Sequence, residues 1–236
     1  MTSDHIALLD ALSIDQAVFV GHDWGALVVW YQPLLNSDRV LGLANFSVPF
    51  LPRPPIDPVV LMEQANGPEF YIVHFNRQPG VAAAAFADNT RRFLSNIYRT
   101  NVWHDTDENQ PSGMSIVDMA RIDVQRGDLM MSEEELDVFV SAFQHSGFEA
   151  PCNWYRNFSR NWELTSGLEH RVEHPALMIY GRYDMVRPVD MSDSVADLEI
   201  YTLDCGHWIQ QEKPVETNEI LIDWLNRRMK PLYRGS

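Results

Sequence analysis

Two short apolar runs, residues 17–20 and 40–47, lie close together near the start of the chain. Runs of this length without alternation predict strands buried on both faces of a parallel sheet. Ahead of them Ile6, Leu8, Leu9 and Leu12 recur at roughly helical spacing, so residues 2–12 read as the last turns of a helix capped by Ser3 or Asp4. A second helix is expected to begin just past Asp23 and to run to about Leu35, with Asn36-Ser37-Asp38 as the turn into the second strand. Prolines at positions 49, 52, 54, 55 and 58 exclude regular structure over residues 48–58 and mark an exit from the sheet.

From residue 59 to 169 the strand pattern is absent and the chain reads as helices broken by loops. Residues 81–97 are helical by composition, and residues 132–143 open with a capping box, Ser132 followed three positions on by Glu135. The polar segment 101–113 reads as a flexible loop. Strand character returns at 176–180 and ends in Gly181-Arg182-Tyr183-Asp184. A helix over 190–197, a strand over 198–203, Gly206-His207 and a final helix over 214–228 follow, with Pro214 in the first helical turn, where a missing N–H costs least. A parallel sheet interrupted by an all-helical insert predicts an α/β fold: core in residues 1–50 and 171–236, helical lid in 51–170.

Composition narrows the function classes. The length of 236 residues permits one large domain, or a domain with an inserted lid. The net charge of -15, from 33 acidic against 18 basic residues, argues against nucleic acid and anionic membrane as partners, because both would be repelled. Small neutral substrates are unaffected. Cys152 and Cys205 lie far apart, match no metal-ligand spacing, and read as two buried free thiols. A charged leader ahead of an apolar core and a membrane-length apolar run are both missing, so a soluble cytoplasmic protein is the expectation.

The chemistry centres on Gly21-His22-Asp23-Trp24-Gly25. A buried strand running through G-x-x-x-G into a helix is the pattern of a nucleophile elbow, whose two glycines are expected to let backbone pass where a Cβ would clash. Its central residue is Asp23, not serine. A carboxylate attacking carbon forms an alkyl ester and so suits carbons bearing a leaving oxygen or halogen. Such a nucleophile needs a base and the base an orienter; His207 and Asp184 each follow a strand, which places both at the carboxyl edge of a parallel sheet with Asp23. The order nucleophile, acid, histidine is that of an α/β-hydrolase triad. The other position where such an acid can stand, after residues 40–47, offers Asn45, Ser47 and Val48 and no carboxylate. The same five-residue elbow also reads as a tight strand-to-loop turn.

On these motifs the chain resembles the soluble epoxide hydrolases of the α/β-hydrolase superfamily. Gly-His-Asp-Trp-Gly is an elbow shared by epoxide hydrolases and haloalkane dehalogenases, and Asp204-Cys205-Gly206-His207-Trp208 with Ile209-Gln210-Gln211-Glu212-Lys213-Pro214 resembles the family's histidine segment. Asn153-Trp154-Tyr155-Arg156-Asn157 and Tyr71-Ile72-Val73-His74-Phe75 are similar to its two lid motifs, with Tyr98 as a second choice for the tyrosine at 71. The resemblance implies that Asp23 attacks an epoxide carbon while Tyr155 and Tyr71 hold and protonate the oxygen. His207, oriented by Asp184, then activates water and a vicinal diol leaves. His22, Trp24 and Trp208 are implied as walls of the site for a small apolar epoxide, the Trp24 N–H as an oxyanion donor, and no cofactor or metal is required. Dehalogenation by the same Asp23, or an inactive remnant that acts by binding, are the alternatives.

The family's His-Gly-x-Pro loop, the source of a second oxyanion N–H, is absent from this chain, where no His-Gly pair occurs. The resemblance thus implies an N-terminally truncated α/β-hydrolase fold lacking the first strands of its sheet. The strand at 17–20 is then an edge, with homo-oligomerisation through it as an expectation.

Overall fold

The computed structural model describes residues 1–100, 116–123 and 127–230; the expected loop at 101–113 lies outside them. The chain clusters into two compact units, Met1–Pro52 with Leu168–Ser236, and Arg53–Gly167.

The first unit is built on a parallel sheet in the order β1 (Ala17–His22), β2 (Val40–Phe46), β3 (Ala176–Gly181) and β4 (Leu198–Leu203). Every residue of β3 is buried, as a strand covered on both faces requires. Its alternate side chains divide between two cores. Ala176, Met178 and Tyr180 join Leu9, Val29, Trp30, Leu43 and Phe50, while Leu177 and Ile179 join Ala44, Phe46, Ile209, Trp224 and Met229. Helix Trp24–Leu35 covers the first core, and helix Pro214–Arg228, with Pro214 in its first turn, delivers Trp224 to the second. Among the described residues β1 is an edge, with Val20 48% exposed.

Three sequence expectations change. Residues 190–197 form no helix. Asp190 Oδ1 accepts from the Ser192 N–H at 2.9 Å, and residue 172 pairs with this segment through Val172 N–H to Ser194 O (2.8 Å) and Ala196 N–H to Val172 O (2.9 Å). The backbone groups a helix would need are thereby taken up, with Met191 and Val195 packed into the core. The first helix, Thr2–Ala11, has Met1 as its cap and no side-chain cap bond from Ser3 or Asp4; Asp4 instead pairs with the terminal ammonium at 3.1 Å. The stretch 81–97 is two helices, Val81–Asp88 and Thr90–Ile97, because Asn89 leaves the helical region and its side chain caps the second by accepting from Arg92 N–H at 3.0 Å.

The second unit is helical over its described residues, with helices Pro58–Asn66, Tyr71–Arg77, Val81–Asp88, Thr90–Ile97, Ile116–Met119, Glu133–Ser146, Glu149–Tyr155 and Phe158–Leu164. Ser132 and Glu135 form both bonds of the capping box. Phe86 stacks on Phe93, and Phe148 meets the edges of both, which gives this unit its own aromatic core. Arg53 lies over the Trp162 ring at 4.1 Å and donates to its carbonyl, while Trp162 Nε1 donates to Pro54 O, fastening the proline-rich segment without secondary structure.

Candidate active site

Asp23 stands between β1 and helix Trp24–Leu35 at φ 54°, ψ -119°, a conformation L residues seldom adopt. The turn is tight because a Cβ on Gly21 would lie 2.5 Å from Gly25 O and 2.7 Å from Ala26 N. Gly25 differs from the expectation for it: a Cβ there meets nothing within 4 Å among the described residues. The clash that requires glycine falls on the first position of the motif alone.

The other two residues expected at the carboxyl edge come from the same unit. Asp184 follows β3 and is 1% exposed; His207 follows β4 and is 9% exposed. His207 Nδ1 lies 3.1 and 3.2 Å from the Asp184 oxygens, and its Nε2 lies 3.5 Å from Asp23 Oδ2. A carboxylate facing Nδ1 fixes the proton there and turns Nε2 toward Asp23. Burial alone would lower the His207 pKa, yet the hydrogen bond to Asp184 with the charges of Asp23 and Asp184 holds it above the ordinary histidine range. For Asp184 burial pushes the pKa up, but His207, Ser47 and the Val186 N–H together hold it below the usual carboxylate value.

Close backbone packing carries the histidine into place. A Cβ on Gly181 would stand 2.1 Å from Gly206 O and 2.9 Å from Cys205 O, so the His207 loop crosses the end of β3 where only glycine fits. Cys205 is a buried free thiol pushed up to about 12 by burial, and Cys152, in the second unit, is likewise free and pushed up to about 11.

His22 and Trp208, expected as walls, pack around the histidine. The ring centroids of His22 and His207 are 4.9 Å apart, those of His207 and Trp208 5.1 Å, and those of His22 and Trp208 5.7 Å. His22 Nε2 donates to the His207 carbonyl at 2.8 Å, and burial and the charge of His207 lower its pKa. Trp24 is the first residue of its helix.

Ser47 belongs to this constellation, although at the sequence level its position registers only as lacking a carboxylate. Its Oγ donates to Asp184 Oδ2 at 2.6 Å and lies 3.2 Å from His207 Nδ1. Ser47 is fully buried at φ 69°, just past β2. The legible signal was its place at a strand end, the same kind of place held by Asp23 and Asp184.

The expected tyrosines are neighbours in the second unit. Tyr71 begins one helix, Tyr155 ends another, and their rings meet edge to face at 5.5 Å with Phe75 4.9 Å from Tyr155. Asn76 joins the two helices by donating to Ile72 O (2.7 Å) and Tyr155 O (3.0 Å), a link the sequence did not reveal. Tyr98 lies against Phe139 at 5.3 Å, and burial raises its pKa. Among the described residues no group of three or more His, Cys, Asp or Glu side chains could hold a metal, and no helix is long and apolar enough to cross a membrane.

Comparison with known proteins shows the family. The model of the alpha/beta hydrolase fold matches residues 3–214. Epoxide hydrolase A of Mycobacterium tuberculosis is 34% identical over 95% of this chain and 73% of its own length. The bifunctional epoxide hydrolase 2 of Sus scrofa is 33% identical over 95% of this chain, which spans 41% of that protein. The crystal structure of epoxide hydrolase A from Mycobacterium thermoresistibile superposes with a TM-score of 0.85 at 35% identity, covering 95% of this chain and 74% of the other. Potato epoxide hydrolase I gives 0.79 at 29% identity, covering 96% and 75%. The chain belongs to the α/β-hydrolase fold family and, within it, to the epoxide hydrolases.

Proposed function

We propose that this chain opens small apolar epoxides to vicinal diols through an ester on Asp23. The observation that carries this reading is the array of Asp23, His207 and Asp184, with Nε2 3.5 Å from the Asp23 carboxylate and Nδ1 against Asp184. A triad ending in serine would direct the site to acyl carbons; one ending in a carboxylate directs it to alkyl carbons.

In the first step an Asp23 oxygen bonds to an epoxide carbon as the ring C–O bond breaks. The departing oxygen takes a proton from Tyr155 or Tyr71, whose hydroxyls hold it. In the second step His207 Nε2 takes a proton from water, and the water oxygen bonds to the Asp23 carboxyl carbon. The first-turn N–H of Trp24 stabilises the resulting oxyanion. Collapse breaks the bond between that carbon and the Asp23 oxygen now joined to the substrate, which takes the proton from His207 and leaves in the diol, while the proton left on the new Asp23 carboxyl passes through water to the tyrosine. His22 and Trp208 wall the substrate. In this reading residues 51–170 are the helical lid insert and residues 1–50 with 171–236 the core, and the protein works in the cytoplasm without nucleic acid as a partner.

The test is a single turnover in heavy-oxygen water with enzyme in excess over a styrene-type oxide. Label appears in the Asp23 carboxylate and not in the first diol released. Label entering that diol directly overturns the covalent route, and failure to convert any epoxide overturns the activity.

A further inference from the structure

The segment after β4 carries an acid that the triad does not use. Glu212 ends the short helix Ile209–Glu212, and its two carboxylate oxygens accept separately: Oε2 from the Gly206 N–H at 2.9 Å and Oε1 from the Trp208 N–H at 3.2 Å. These N–H groups belong to the residues on either side of His207. The Glu212 N–H returns a bond to Trp208 O at 2.8 Å, which closes the loop on itself. His22 Nε2 donates to another backbone group of the segment, the His207 carbonyl.

We infer that Glu212 is a positioning residue for His207, a two-oxygen clamp on the backbone at either side of the catalytic histidine. Nδ1 is held by Asp184, but a ring can pivot about a single hydrogen bond; fixing the backbone on both sides removes that pivot. Backbone N–H bonds to an ionised carboxylate are among the stronger ones available, so one side chain suffices. The clamp also brings a negative charge near His207, in the direction that favours its protonated form. This role rests on the proposed ester route, because in that route His207 is needed for the second step and not for the first.

That asymmetry supplies the test. In Glu212→Gln one of the two acceptors becomes an NH2 group, so a single N–H at most is held. Rapid mixing with excess enzyme and mass spectrometry of the intact protein follow formation and decay of the Asp23 adduct. Formation should proceed at the wild-type rate while decay slows, by up to the order of 10²-fold that follows small misplacements of catalytic groups. The acid limb of the decay rate should move to lower pH. Glu212→Asp keeps both acceptors on a shorter stem and should decay at an intermediate rate. It also gives the same comparison if the Gln variant folds poorly. Decay unchanged in both variants, or formation slowed as much as decay, overturns the clamp and leaves the epoxide reading standing. A wild-type enzyme that turns over with no adduct overturns both.

Discussion

Ser47 shows how much of the acid's behaviour is set by a neutral neighbour. Its hydroxyl at 2.6 Å is one of three donors on Asp184, with His207 Nδ1 and the Val186 N–H, and all three favour the ionised carboxylate. Ser47→Ala should raise the Asp184 pKa and slow ester decay by about 10-fold, the equivalent of about 1.5 kcal/mol for a lost bond to a charged group. The same adduct measurement checks it. Because Nε2 must be unprotonated to take a proton from water, the acid limb of ester decay reports His207 in the adduct, where the Asp23 charge is lost to the ester and Asp184 still acts to raise its pKa. Asp184→Asn removes the negative charge facing His207 and should move that limb down, which a pH–rate profile of adduct decay resolves. For the fold the sign runs the other way. A raised His207 pKa stabilises the folded state most below the unfolded value, and the contribution is lost as pH rises through the folded one.

Among the elements, the strand ends do most to build the site, and their glycines differ in consequence. Gly21→Ala and Gly181→Ala both force a Cβ against backbone atoms that side-chain rotation cannot relieve, and each should destabilise the protein by about 1–3 kcal/mol or more. Gly25→Ala adds a Cβ to open space inside a helix and should leave stability unchanged or raise it by about 0.5–1 kcal/mol. Thermal melts of the three variants decide the matter. β1, β2, β3 and β4 were legible because buried parallel strands read as short apolar runs with strong chain punctuation. Asp23, Asp184 and His207 were legible because strand ends in a parallel sheet share an edge. The missing helix at 190–197 was not, since the partner that takes up its backbone groups, Val172, is distant in sequence. Ser47 was half visible: its position was marked, but a hydroxyl aimed at a carboxylate 137 residues away leaves no local pattern.

For the whole molecule, two opposing surface properties meet. The charge of -15 keeps copies apart, while β1 offers an edge with the apolar Val20 half exposed, the feature through which sheets add strands. Repulsion between exposed charges fades as the Debye length falls from about 30 Å at 0.01 M salt to about 8 Å at 0.15 M, whereas strand pairing does not depend on it. Light scattering should therefore report a mass that rises with added salt, and Val20→Lys should suppress the rise. A monomer mass at every salt concentration in both proteins would show that the edge pairs with nothing.

The conformation of Asp23 reaches beyond turnover. A non-glycine residue held at φ 54° carries a local cost of about 1–3 kcal/mol, more than the about 0.5–1 kcal/mol of chain entropy that glycine would lose on folding. Asp23→Gly should thus be inactive and yet melt no lower than the parent. Any screen that rewards expression or solubility alone would let that substitution through, so a library built on this chain has to be selected on chemistry from its first round.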